Sequence, residues 1–253
     1  MNIILLGTGV AIPQLEKAQS GILVKTPDEL MLFDCGAGVL GRIVQSGYDY
    51  LKIRTIFFTH HHLDHNADLL VLLKAQQLVS DDQGVTMQTV RIYGPKGTAS
   101  HVSRWLDLYS YLTAEVDVTE LEDGSIARVG SGVVTARATK HSVPSIAYRM
   151  QTPTSTLVYS GDTEPTEALR DLCHGNVDVL IHECSFPDTY ASISNHTTPA
   201  KLRDLVYDQD IDRIVLTHLY PHAEGHENDM IETVKRRFPG RVDIGYDLMK
   251  IFL

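Results

Sequence analysis

The chain has 253 residues, 43% of them apolar and 21% charged, the balance of a globular protein rather than of a disordered or fibrous one. Thirty-two acids against 22 bases leave a net charge of −10, so a polyanionic partner would be repelled unless bases were concentrated or a metal helped. No apolar stretch approaches the ~18–20 residues of a membrane span.

In chain order, short runs rich in Val, Ile, Leu, Phe and Tyr predict strands, and helical apolar spacing predicts helices. Strands over Asn2–Leu6, Gly21–Thr26 and Leu30–Asp34 precede a helix over Ala37–Ser46. A strand over Ile53–Thr59 leads to a helix over Ala67–Val79, and Val90–Tyr93 to a helix over Thr98–Tyr111. Three strands follow: Val133–Thr139, Ser145–Gln151 and Thr156–Ser160. The remainder alternates, with helices over Pro165–Cys173, Pro199–Tyr207 and Glu227–Phe238 and strands over Asp178–His182, Arg213–Thr217 and Leu248–Phe252. Asp162 to Pro165 and Thr197 to Pro199 read as helix starts, with proline near the first turn. Strands in succession and then alternation point to an α/β protein of two packed sheets with helices outside, as one domain over residues 1–253.

Cys35, Cys173 and Cys184 are widely spaced and contain no C-x-x-C, which fits reduced thiols in a cytoplasmic protein. The opening MNIILLGTG has neither the basic region nor the cleavage site of a signal peptide. The one dense basic cluster, Lys235, Arg236 and Arg237 with Arg241, reads as a solvated helix end.

Twelve histidines stand out. His60, His62, Asp64 and His65 make an H-x-H-x-D-H segment delivered by an apolar strand. If that strand continues, alternation puts His60 and His62 on one side, where both can hold one ion, while His61 faces away. Asp64 and His65 follow in the turn and can face a second ion. Three further polar residues stand where apolar strands run out: His141, Asp162 and His218. Imidazole nitrogens with carboxylate oxygens suit zinc best, with manganese or iron as alternatives.

This set, in this order, resembles the metallo-β-lactamase fold superfamily, whose four-layer αββα sandwich is therefore the expected fold. Leu32–Gly38 (LFDCGAG) looks like the family's first motif, in which Asp34 supports the ligand loop; alternatively Asp34 ends a strand and caps the helix at Ala37. The resemblance implies two Zn2+ ions, one on His60, His62 and His141, the other on Asp64, His65 and His218, with Asp162 bridging. It further implies a water between the ions as nucleophile, and Asp64 as a catalytic residue besides being a ligand.

The surroundings of His141, KHSVPSIAYRM from Lys140 to Met150, are similar to the tRNase Z-like branch. Leu180–Phe186 (LIHECSF) looks like that branch's His-Glu-Ala-Thr motif, and Asn195–Thr198 (NHTT) resembles its His-Ser-Thr motif. By this resemblance His196 is the acid that protonates the leaving alkoxide, and Glu183 orients it. His182 is a candidate outer partner of a ligand, and Tyr220 and His222 are candidate pocket residues.

The chain also departs from tRNase Z. The long arm that grips tRNA is commonly inserted between the third and fourth metal motifs. Here only residues 142–161 separate His141 from Asp162, room for a hairpin and no more. In build the chain is therefore closest to short armless phosphodiesterases such as the anti-Pycsar type. The expected activity is hydrolysis of small or cyclic nucleotide phosphodiesters by a metal-bridging hydroxide. The alternatives are a tRNA 3′-end endoribonuclease and a lactone or sulfate ester hydrolase. The expected partner is a small anionic diester, with RNA less favoured, no membrane, and a homodimer by resemblance.

Overall fold

The computed structural model describes residues 1–253. The first half builds one sheet from β1 (Asn2–Gly7), β2 (Gly21–Lys25), β3 (Leu30–Phe33), β4 (Thr55–Phe57), β5 (Val90–Gly94) and β6 (Val116–Glu120). The second half builds another from β7 (Ile126–Val129), β8 (Gly132–Ala138), β9 (Ile146–Gln151), β10 (Thr156–Tyr159), β11 (Val177–Glu183), β12 (Ile211–Thr217) and β13 (Arg241–Ile244). The last strand, β14 (Met249–Phe252), returns to pair antiparallel with β1, so the sheets run β14-β1-β2-β3-β4-β5-β6 and β13-β12-β11-β10-β9-β8-β7.

Strand alternation sorts the apolar residues into three cores. Ile3 and Leu5 join Val179, Ile181 and Val215 between the sheets. Ile4 and Leu6 face outward to Val39, Ile43, Leu69 and Leu72, the buried faces of α1 (Val39–Ser46) and α2 (Leu69–Gln83), with Val102 of α3 (Thr98–Leu108). Leu180 and Leu216 face the other way, to Leu169, Leu202 and Met230 on α4 (Glu167–Leu172), α5 (Pro199–Val206) and α6 (Glu227–Lys235). This is the four-layer αββα sandwich. No helix is long and apolar enough to cross a membrane.

Three strands not expected from sequence, β6, β7 and β13, are all sheet edges. An edge strand has fewer neighbours to bury against, and VDVTE, IARV and RVDI accordingly carry charge where a central strand is apolar. Two helix starts also move. Thr166 caps α4, accepting from the Leu169 amide, in place of the Asp162–Pro165 segment. Asp34 caps nothing: α1 begins after Gly38, and Asp68 accepts from the Leu40 amide there. Pro199 opens α5 as expected. The hairpin β9–β10 is closed by residues 152–155 alone. All three cysteines are buried and unpaired.

Candidate metal centre

Strand β4 stops at Phe57, so alternation along a strand is not what brings His60 and His62 together. A loop does so, with their ring centroids 4.7 Å apart. Two glycines let this loop lie close. A Cβ on Gly36 would sit 2.1 Å from the Asp64 carbonyl oxygen, and Gly161 has φ +54 and would strike Thr59 at 2.6 Å. His61 does turn away: its Nε2 meets Thr98 Oγ1 at 2.9 Å and its ring stacks on His101. Burial, then the His101 charge, lowers the His61 pKa to about 4.

The other side of the centre comes from strand ends of the second sheet: His141 after β8, Asp162 after β10 and His218 after β12. His62 Nδ1 faces His60 Nε2 and His141 Nε2, each at 3.1 Å. Asp162 lies among four imidazoles, with Oδ2 3.9 Å from His60 and His141 and 3.3 Å from His218, and Oδ1 3.4 Å from His65. Asp64 Oδ2 is 3.4 Å from His218 Nε2. Two donor groups result, His60–His62–His141–Asp162 and Asp64–His65–His218, each with its atoms within 4.8 Å of one another. Asp162 also groups with His196 and His218.

His65 Nε2 and Asp162 Oδ1 are buried without a hydrogen-bond partner. Ring nitrogens converging on one another and on carboxylates, with buried acceptors left over, are what a divalent cation satisfies; the residues present fit such ions. Burial, then the charges of His65 and other neighbours, holds the His60 pKa well below 6.5. Burial acts likewise on His65, but the charges of Asp162 and Asp34 outweigh it and raise that pKa well above 6.5. Burial would raise Asp162, yet the His218 and His65 charges take it well below the carboxylate range.

The surrounding groups fix which nitrogen faces inward. Asp34, wholly buried, accepts from the Thr59 amide (2.8 Å), Thr59 Oγ1 (2.9 Å), His65 Nδ1 (2.8 Å) and the Tyr159 hydroxyl (2.8 Å). The Asn195 carbonyl accepts from His141 Nδ1 at 2.9 Å, and Ser185 Oγ lies 3.1 Å from His218 Nδ1. Asp34 and His218 hold φ of 58 and 56, conformations that non-glycine residues rarely adopt. Thr59 and Tyr159 carry no motif that marks them from sequence as parts of this network, whereas Ser185 stands within the Leu180–Phe186 motif.

Glu183, buried at the end of β11, accepts from the Thr163 amide and His196 Nδ1 on one oxygen and from Ser185 and the Thr197 amide on the other. His196 is 2.9 Å from it. Burial lowers the His196 pKa, but the Glu183 hydrogen bond and charge prevail and leave it raised. Tyr220 borders the same cleft, whereas His222 packs on Phe186 and Tyr190 beyond it. His182 is not at the centre. It shares a face of β11 with Leu180, away from Glu183, and its Nδ1 bonds the Glu183 carbonyl. The Tyr-Arg pair after His141 is structural: Tyr148 donates to the Phe58 carbonyl, and Arg149 to those of Leu172, His174 and Asn176.

Two seven-stranded sheets sandwiched by helices, with a histidine–aspartate cluster where strand ends of both meet, define a metal-dependent hydrolase of the metallo-β-lactamase fold. Residues 30–219 match the Beta-lactamase superfamily domain, and the chain belongs to that family. Within it the chain is tRNase Z-like. It is 27% identical over 304 aligned positions to ribonuclease Z of Methanosarcina mazei, covering 99% of this chain and 97% of that one. Human tRNase Z, short form, superposes with a TM-score of 0.80 at 25% identity, covering 100% of this chain and 99% of that one. The metallo-β-lactamase fold protein YhfI of Bacillus subtilis superposes with a TM-score of 0.84 at 24% identity, over 99% and 98% of the two chains.

Proposed function

We propose that this chain is a di-zinc phosphodiesterase acting on small or cyclic nucleotide phosphodiesters. His60, His62 and His141 would hold one ion, Asp64, His65 and His218 the other, and Asp162 both. Such ions supply Lewis acidity towards a phosphoryl oxygen and bring the pKa of water near neutrality. The chain's own residues do the rest. Glu183 takes the Nδ1 proton of His196 into a hydrogen bond, which leaves Nε2–H to face the cleft. The raised pKa keeps that proton in place near neutral pH, ready for the alkoxide that leaves when the diester is cut. Asp34, Asn195 and Ser185 hold His65, His141 and His218 in the ring orientations that point their other nitrogens inward.

The observation that carries the small-substrate reading is the closed hairpin β9–β10, with no arm between His141 and Asp162. The alignment with the M. mazei relative has 304 positions against the 253 residues of this chain, so at least 51 are unfilled here. The second reading, a tRNA 3′-end nuclease, is favoured by the full-length likeness to proteins named ribonuclease Z. Cleavage of 3′,5′-cyclic AMP and cyclic UMP beside a 3′-extended pre-tRNA, with added zinc or manganese, separates them. Ring opening with inert pre-tRNA is the expected result. Cleavage of the pre-tRNA with inert cyclic nucleotides would establish the second reading instead. We also propose a homodimer. The exposed Val71, Leu78, Tyr109 and Tyr111 along α2 and the end of α3 form an apolar face suited to a second copy, which sedimentation would detect.

A further inference from the structure

Tyr220 stands between the cleft over the histidines and a neighbouring hollow. Beyond that ring lies a second hollow of about 480 Å³, walled by residues 13–17 and by the 219–227 segment that follows β12, and Tyr220 lines both. Phe186 stacks on Tyr220 at 4.5 Å and fixes the ring as a partition. The first cleft, about 400 Å³, has no lysine or arginine in its lining. The second has Glu16, Glu224 and Glu227 against a single cation, Lys17. Burial holds the Lys17 pKa below its ordinary value although the charges of Glu227, Asp247 and Glu224 raise it, so the one cation of this hollow is outnumbered by carboxylates. Pro13, Leu219 and Pro221 supply apolar wall.

Together the two hollows attract an anion at one place, the histidine–aspartate cluster with its proposed ions and the adjoining His196. A flanking phosphate that entered the second hollow would lie over carboxylates, and like charges repel more strongly as water is excluded. We infer that the substrate of this site carries a single phosphate diester, and that the second hollow receives its uncharged organic arm against Tyr220, Pro13, Leu219 and Pro221. This rests on the phosphodiesterase reading above and narrows it to diesters without further anionic groups.

The test compares thymidine 5′-(p-nitrophenyl phosphate) with the same compound bearing an added 3′-phosphate, as a ratio of kcat/KM. Calorimetric binding of thymidine 5′-monophosphate against thymidine 3′,5′-bisphosphate to the zinc-loaded protein gives a second ratio, independent of turnover. The added phosphate should cost at least about tenfold in both. In a Glu16→Gln, Glu224→Gln, Glu227→Gln variant both penalties should shrink toward one. A wild-type ratio near one, preference for the doubly phosphorylated ligand, or a penalty unchanged in the variant would overturn the inference. If neither diester is hydrolysed, the phosphodiesterase reading fails, while the calorimetric ratio still decides the charge preference of the hollow.

Discussion

Replacing Asp34 by Asn should separate the stability of this protein from its affinity for metal. Asp34 Oδ1 takes the Thr59 amide, a donor that cannot reverse, so the introduced side-chain oxygen must stay there. The amide nitrogen then replaces Oδ2, which now meets Thr59 Oγ1, His65 Nδ1 and the Tyr159 hydroxyl. All three can switch from donating to accepting, but the amide has only two protons for them. One hydrogen bond of four is lost and the rest lose their charge assistance, about 1–3 kcal/mol in total. The larger effect is on His65. With Nδ1 accepting, the neutral ring carries its proton on Nε2, the atom facing Asp162, and has no lone pair there for an ion. Metal affinity should fall about 10–100-fold, as when an outer partner of a ligand is lost. Asp34→Ala removes the acceptor of all four donors, of which Thr59 Oγ1 keeps a second partner in His60 Nδ1 at 3.0 Å, and should destabilise the chain by roughly 3 kcal/mol or more. The assays are urea unfolding of the metal-free proteins and zinc retained against a graded chelator. Wild-type zinc retention in the Asp34→Asn variant would refute the tautomer argument, and with it the proposal that His65 offers Nε2 to an ion.

His196→Ala should slow turnover by about 10²–10⁴-fold with metal content unchanged, and an unaltered rate would remove it as the acid. Glu183→Gln takes away the charge that raises the His196 pKa, so the alkaline limb of the pH–rate profile should move to lower pH; a limb that stays put would refute the pairing. Asp162→Ala should lose most activity and part of the metal, and two ions per chain with full turnover would exclude a bridging role. In the metal-free protein, His65 has its folded pKa raised above 6.5, so its contribution is complete below that and is lost as pH rises through the raised value. His60 has its folded pKa lowered, so its contribution is present above 6.5 and is lost as pH falls. The two together place maximum stability of the metal-free protein near pH 6.5. Urea midpoints at pH about 5, 6.5 and 8 would check this, and a midpoint that climbs steadily to pH 8 would count against it.

The central strands and all six helices were legible because their apolar residues are dense and periodic, and the two-sheet arrangement followed from their order. The three missed strands are edges of only four or five residues, so the alternation in VDVTE and RVDI is too brief to stand out. At the site, the residues that converge are chemically conspicuous: histidine and aspartate where apolar strands end. The geometry behind them was less legible. His60 and His62 meet through a loop, which alternation could not foresee. Ser185 and Thr59 are ordinary hydroxyl residues whose importance arises from what the fold brings to them, His196 and His218 in one case and Asp34 in the other. His182 shows the opposite error, since its place beside Glu183 suggested a role that the alternation of β11 directs into the apolar layer.

The cluster draws His60, His62, Asp64 and His65 from the end of one sheet and His141, Asp162 and His218 from the end of the other. Neither half of the chain owns a complete set of donors. An ion of the proposed kind can therefore be captured only once the halves have docked in register, and it then acts as a clasp across the seam between them. Cofactor loading becomes a late checkpoint in maturation. A chain with its halves misaligned by even one strand position would remain unloaded, and so inert, rather than becoming a hydrolase of uncontrolled specificity.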